Sequence, residues 1–452
     1  MLKFARFFST AVCTGLLFCG QLFAQSADVQ FDDKSDPDAK DMDALRRWLR
    51  DKRFVTMKEI GGDLSLSGEV RTEFQAINER RNGVQQRDNP GLAPNFPKAK
   101  PMYAWDVEVN LMIDYRTDRT WAAIKLEFDN DMGIRSGTTN KIRLEKAYLG
   151  GRILPGDTLI IDAEVGRRNL FNVFDSKVQF SSLYDGALFR FNKGFDEIGD
   201  YYFNAGPFLV DDITNHYGYV GEMGALGIVN TGLNLKYSII NWYRPGGEDE
   251  EDNTAFETAL TNQRYRFLVS QLTAYYQFYP QWIGKRLIKV YAAGLMNHFA
   301  IDSKIVGRHP TGMQGVTIPT QIIPTGGEKA NLAWYAGVSI GVVKKQGDWA
   351  IDLNYQWVQA QAYPDFDNLG IGRGNAANVG LYTLNADGSG GATTQATAVG
   401  NTNFKGFQIE ALYAITDNLV VQQNFNYSNT LNLNIGPNEK YRQYEIEFVY
   451  AF

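Results

Sequence analysis

The last twelve residues, Tyr441-Arg442-Gln443-Tyr444-Glu445-Ile446-Glu447-Phe448-Val449-Tyr450-Ala451-Phe452, read with period two. Tyr444, Ile446, Phe448, Tyr450 and Phe452 share one face, and Gln443, Glu445, Glu447, Val449 and Ala451 share the other. Successive side chains of a strand point to opposite sides, so this stretch is a β-strand with one apolar and one mostly polar face.

The same alternation recurs upstream. Leu64, Leu66, Val70, Thr72, Phe74 and Ala76 oppose Ser65, Ser67, Glu69, Arg71, Glu73 and Gln75. Tyr103, Trp105, Val107, Val109, Leu111, Ile113 and Tyr115 oppose Asp106, Glu108, Asn110 and Asp114. Trp349, Ile351, Leu353, Tyr355 and Trp357 oppose Asp352, Asn354 and Gln356. These segments are long for soluble strands and match the roughly 9–11 tilted residues that cross a hydrocarbon layer. Aromatic residues cluster near their ends, as membrane interfaces favour.

The pattern predicts sixteen strands, at 63–77, 102–115, 121–129, 141–152, 157–166, 185–192, 201–210, 217–228, 232–242, 264–278, 287–299, 331–343, 349–358, 403–414, 419–428 and 441–452. Segments 185–192 and 217–228 carry the weakest signal, so fourteen or eighteen strands also fit. The connections alternate in length. Those after odd-numbered strands are mostly long, with 211–216 the exception, whereas those after even-numbered strands are short and rich in turn formers, such as Pro155-Gly156-Asp157 and Thr416-Asp417-Asn418. A soluble sandwich has no reason to sort its loops by parity. A transmembrane antiparallel β-barrel does, with short periplasmic turns and long outer loops. One position resists this register. Ile142, Leu144 and Tyr148 are expected to face outward with Lys146 among them. A lysine at mid-depth in lipid costs about 2–4 kcal/mol, which a bulge, a subunit interface or snorkelling would relieve.

The fold class is therefore all-β, a transmembrane barrel over 63–452. Residues 1–24 read as a secretory signal: Lys3 and Arg6 precede an apolar run from Phe7 to Phe18, and Leu22-Phe23-Ala24 ends on a small residue. Both cysteines lie inside it, so no disulfide staples the exported chain. Loss of Lys3 and Arg6 moves the net charge from −6 to −8, which argues against nucleic acid as a partner and points to cation preference. Residues 25–62 form a charged periplasmic segment, where Met42, Leu45, Trp48 and Leu49 make the apolar stripe of a short helix.

The signal, the whole-chain strand pattern and the aromatic-terminated last strand together resemble the Gram-negative outer-membrane porins. Val165-Gly166-Arg167-Arg168-Asn169-Leu170-Phe171 and Asp185-Gly186-Ala187-Leu188 also resemble the Gly-Arg and Asp-Gly pieces around the third outer loop of that family. The Pro-Glu-Phe-Gly-Gly-Asp signature of enterobacterial general porins is absent, so their substrate does not carry over. The resemblance implies an outer-membrane homotrimer among lipid and lipopolysaccharide, with the third outer loop, here 167–184, folded into the lumen. It also implies that the barrel-assembly machinery reads Tyr444, Ile446, Phe448, Tyr450 and Phe452.

A sixteen-stranded barrel is too wide for side chains to fill and leaves an aqueous channel for small polar solutes. Candidate lining and constriction residues are Glu69, Arg71, Glu73, Asp106, Glu108, Asp114, Lys125, Glu127, Arg143, Arg168, Asp175, Lys177, Arg190 and Lys236. Acidic and basic walls set opposite one another would orient polar solutes. No catalytic residue, metal ligand or cofactor motif is identified. His216, His298 and His309 are the only histidines, and they fall in loops or at a strand end. The alternative reading is an adhesin or structural barrel working through long outer loops, of which 359–402 is the longest. The acidic run Glu248-Asp249-Glu250-Glu251-Asp252 and the Gly/Ala/Thr/Asn-rich stretch 385–402 read as solvated loop.

Overall fold

The computed structural model describes residues 44–45, 47–48, 55–59, 62–88, 102–132, 141–156, 159–195, 197–212, 215–243, 267–300, 304–306, 322–324, 329–374, 402–433 and 438–452. Among them sixteen long strands follow one another: β1 (Gly62–Arg81), β2 (Tyr103–Arg116), β3 (Thr120–Asp131), β4 (Lys141–Pro155), β5 (Leu159–Asn169), β6 (Leu183–Phe195), β7 (Gly199–Asp211) and β8 (His216–Ile228). The second half comprises β9 (Leu233–Tyr243), β10 (Phe267–Phe278), β11 (Ile288–Asn297), β12 (Leu332–Gly341), β13 (Trp349–Val358), β14 (Phe404–Ala414), β15 (Leu419–Thr430) and β16 (Glu439–Ala451). Each pairs antiparallel with its sequence neighbours. The seam closes where β1 meets β16, from Glu69↔Ala451 to Arg81↔Glu439. Closure removes every open edge, so each mid-wall peptide group is paired across the sheet, as a lipid surround demands.

Phe452 completes the seam. Its backbone exchanges two 2.9 Å hydrogen bonds with Gly68. A Cβ on Gly68 would lie 2.6 Å from the Phe452 ring, so only glycine lets that ring lie flat on β1. Below this point β1 runs past the end of β16, and the short strand Val55–Glu59 folds back to pair with Gly62–Leu66. Among the described residues no helix is long and apolar enough to cross a membrane.

The expected register holds around the wall with one correction. The outward face exposes large apolar side chains, among them Trp105, Ile142, Leu149 and Val165, at 55–64% of their full surface. Contiguous apolar exposure on this scale does not face water in a soluble monomer. On β4 the pairing slips by one residue, with Lys125 opposite Lys146 but Leu126 opposite Leu144. This β-bulge at Glu145 switches the face of everything that follows. Lys146 and Tyr148 are consequently buried on the lumen side, at 1% and 7% exposure, whereas Tyr148 was expected outside. Lys125 sits on the same side and pairs with the bulged Glu145.

His216, expected in a loop, is the first residue of β8 and is buried. The helical residues Ala44, Leu45 and Trp48 are buried against Val343, Ala350, Leu412, Ala414, Val420, Val449 and Ala451. Within the strands these partners face inward at the short-turn end, so this part of the predicted stripe sits in the barrel mouth. Met42, Leu49, the signal segment 1–24, the acidic run 248–252, His309 and 385–402 lie outside the described residues.

Candidate functional site: the lumen

Two connections fold into the barrel. The first is 170–182, between β5 and β6, where Leu170, Phe174, Val178 and Phe180 are fully buried. The second is 359–374, after β13, where Ala362, Tyr363 and Ile371 are buried in the same cluster. Their seat is a set of inward aromatic residues on β6 to β12, including Tyr184, Tyr202, Phe208, Trp242, Tyr275, Tyr291 and Tyr335. Glycines on adjacent strands give these rings room. A Cβ on Gly218 would meet the Phe208 ring at 2.0 Å, and one on Gly224 the Tyr202 ring at 2.1 Å.

The two loops lock together. The backbone N–H groups of Phe180 and Ser182 donate to the Asp367 carboxylate at 2.9 and 3.0 Å, and the Leu369 N–H donates to the Val178 carbonyl at 3.0 Å. Phe180 holds φ at 79°, a left-handed conformation that a large side chain adopts only when its surroundings impose it.

Polar anchors then tie loop 170–182 to the far wall. Lys236 on β9 reaches Asp175 at 3.0 Å. Lys177 lies 3.6 Å from Asp352 on β13 and 3.7 Å from Glu410 on β14. Gln271 on β10 donates to the Asp175 carbonyl, and Gln179 reaches Gln271. The loops therefore occupy the β6–β14 side of the lumen. What stays open is a cavity of about 580 Å³ along β1 to β5 and β16.

That cavity brings together Arg71, Glu73, Asp106, Glu108, Glu127 and Arg143 from the sequence-derived candidates. It adds Asp129, Glu145 and Glu447, giving seven carboxylates against two guanidinium groups, while Arg167 borders it from the outward row, where it pairs with Asp185 at 2.7 Å. Its cations sit in the acidic wall rather than across from it. Arg71 bonds Glu69 at 2.7 Å and Glu447 at 3.4 Å, and Arg143 reaches Glu127 at 3.3 Å. Asn110 donates to Glu69 at 2.7 Å, fixing the base of this cluster.

The remaining candidates lie elsewhere in the lumen. Arg168 and Arg190 converge on Glu164, which also accepts from the Trp121 indole at 2.9 Å. Lys125 is taken up by Glu145. Asp114 pairs with Ser65 and Ala123 near the short-turn end. Asp175, Lys177 and Lys236 act as loop anchors. Acidic and basic groups thus interleave, and do not form two facing walls. Segment 359–374, expected as the start of the longest outer loop, instead folds into the barrel, and Asp367 escaped sequence reading because its role exists only in contact with 170–182. The inward Gly–aromatic pairs of β6–β8 were the one available signal. Among the described residues no group of three or more His, Cys, Asp or Glu side chains is arranged to hold a metal ion.

The fold and lumen define a large transmembrane barrel with an infolded loop and a charged channel. No protein-family model matches the sequence, and no curated protein matches it. Among solved structures, the chain is similar to Salmonella typhi OmpF in complex with daunomycin, at 13% identity over 88% of this chain and 100% of that one, with a TM-score of 0.46. Pseudomonas putida OprB at high pH aligns at 10% identity over 90% of this chain and 96% of that one, with a TM-score of 0.49. The outer membrane channel DcaP of Acinetobacter baumannii aligns at 10% identity over 87% and 99%, with a TM-score of 0.43. At these identities and scores the likeness carries no functional weight.

Proposed function

We propose that this chain is an outer-membrane porin, passing small hydrophilic solutes and ions by passive diffusion with a preference for cations. One observation carries the reading: a cavity lined by seven carboxylates and two guanidinium groups runs beside infolded loops, inside a barrel whose outer wall is largely apolar. An apolar exterior stabilises the barrel in lipid, and a charged interior keeps the passage wet. The excess of carboxylates raises the local concentration of cations and opposes anions. Selection is then by size and charge, with no bond made or broken and no cofactor. Export by residues 1–24, recognition of the last strand by the assembly machinery, contact with lipopolysaccharide and a homotrimeric state belong to the same proposal.

The test is planar-bilayer recording of the refolded chain beginning at residue 25, across a salt gradient. Stepwise openings with a reversal potential of cation-selective sign are the expected result. A folded barrel that never conducts would overturn the reading and favour the adhesin.

A further inference from the structure

In contrast to the paired lumen cations just described, four cations at the long-loop end of β14, β16 and β1 point the other way. Lys405, Lys440, Arg442 and Arg80 are outward by register and exposed. Among the described residues none has an ion pair, and the outward face of β14, β15, β16 and β1 carries no Asp or Glu side chain.

Register brings the four together. Arg80 lies directly opposite Lys440, and Arg442 is opposite Asn78 one pair further in. Asn429 on β15 stands between Lys440 and Lys405. Directly opposed residues of an antiparallel pair have Cβ atoms about 5 Å apart, and next-nearest strands lie about 10 Å apart. Like charges directly opposed destabilise a sheet unless something neutralises them. Among the described residues no neutralising group stands on this face, which leaves it open to a counter-charge from outside the chain.

The position identifies that charge. Immediately inward of the basic row stand Tyr427, Phe407 and Tyr355, and the Arg442 guanidinium lies 5.4 Å from the centre of the Tyr427 ring. The next outward row is Leu353, Ile409 and Phe425. Apolar wall, aromatic belt and basic rim follow in the order of acyl chain, interface and headgroup. Guanidinium and ammonium groups bind phosphate oxygens through charge-assisted hydrogen bonds.

We infer that Arg80, Lys405, Lys440 and Arg442 form a site on the barrel's outer wall for the phosphate groups of a phosphorylated lipid headgroup. The inference rests on the membrane placement of the barrel in the proposed function.

The test is native mass spectrometry of the refolded barrel in detergent with added bisphosphorylated lipid A, or with the same lipid after removal of both phosphates. The wild-type chain is compared with R80Q/K405Q/K440Q/R442Q and with the two half-sets R80Q/R442Q and K405Q/K440Q. Binding at least about tenfold weaker for the quadruple variant and for the dephosphorylated lipid is expected, with the half-sets intermediate. Wild-type binding indifferent to lipid phosphate overturns the site, and this arm needs no variant to fold. So does equal binding by a folded quadruple variant. Displacement by millimolar inorganic phosphate alone would make it a free-phosphate site and also overturn the proposal. Bilayer conductance of the same samples separates the two readings. A non-conducting barrel with phosphate-dependent lipid binding overturns the pore and keeps the site, whereas a conducting barrel without such binding does the reverse.

Discussion

The backbone N–H of Phe180 donates to Asp367 across 187 residues of sequence, at 2.9 Å, and thereby joins the two loops that narrow the barrel. Burial pushes the Asp367 carboxyl up to about 7, against hydrogen bonds from Ser182, Phe180 and Ser181 that favour its anion. A carboxyl raised in the folded state holds its proton more tightly there than in the open loop. Its stabilising contribution is full below the ordinary carboxylate range and is lost as pH rises through about 7. Low-frequency current noise from loop opening should therefore increase between pH 6 and pH 8. Asp367→Asn, which mimics the protonated form, should show the same noise at both. An equal pH dependence in the variant would refute the assignment.

In the proposed function, charge in the cavity sets selectivity. Replacing Glu73, Asp106 and Glu108 by Gln, Asn and Gln cuts the cavity from seven carboxylates to four against two guanidinium groups. The reversal potential across a salt gradient should fall toward zero, with conductance retained, because the side chains keep their size. An unchanged reversal potential would move the selectivity filter elsewhere.

Glu145 is the extra residue that turns Lys146 into the lumen. Deleting it closes the bulge with Lys146 still on the lumen side, and leaves Lys146 directly opposite a Lys125 that has lost its Glu145 carboxylate, a like-charge pair that destabilises the sheet. Urea titration of barrels refolded in vesicles should show the loss as a lower midpoint. Adding Lys146→Leu to the deletion should recover most of it.

Leu45 and Trp48 are fully buried in the short-turn mouth. A helix with its side chains is about 10 Å across, so removing residues 25–54 widens that mouth. Single-channel conductance should rise while the barrel still forms. Trp48→Ala gives up about 3–5 kcal/mol of packing and should release the same segment. Conductance unchanged in both would mean that ions pass elsewhere.

Much of this was legible in the chain. Alternation placed every barrel strand within a few residues, because lipid outside and water inside impose opposite demands on successive side chains. Parity of loop length sorted the connections into short turns at one end of the barrel and mostly long loops at the other. Lys146 marked the bulge as an anomaly without saying how it was resolved, since a face switch depends on the partner strand. The two-residue period that sets Trp105 and Val107 outside also places Glu73, Asp106, Glu108 and Glu127 on the lumen side.

Which of those charges share a space was not legible. Arg71 meets Glu447 across 376 residues, and Lys177 meets Asp352 and Glu410. The sequence by itself determined the wall, because each strand's two faces are a local property of consecutive residues. Only the tertiary structure decided the channel. The seam between β1 and β16, the seating of 170–182 on distant aromatic residues and its latch to Asp367 are contacts between segments far apart in the chain. Periodicity carries no information about which distant segments meet.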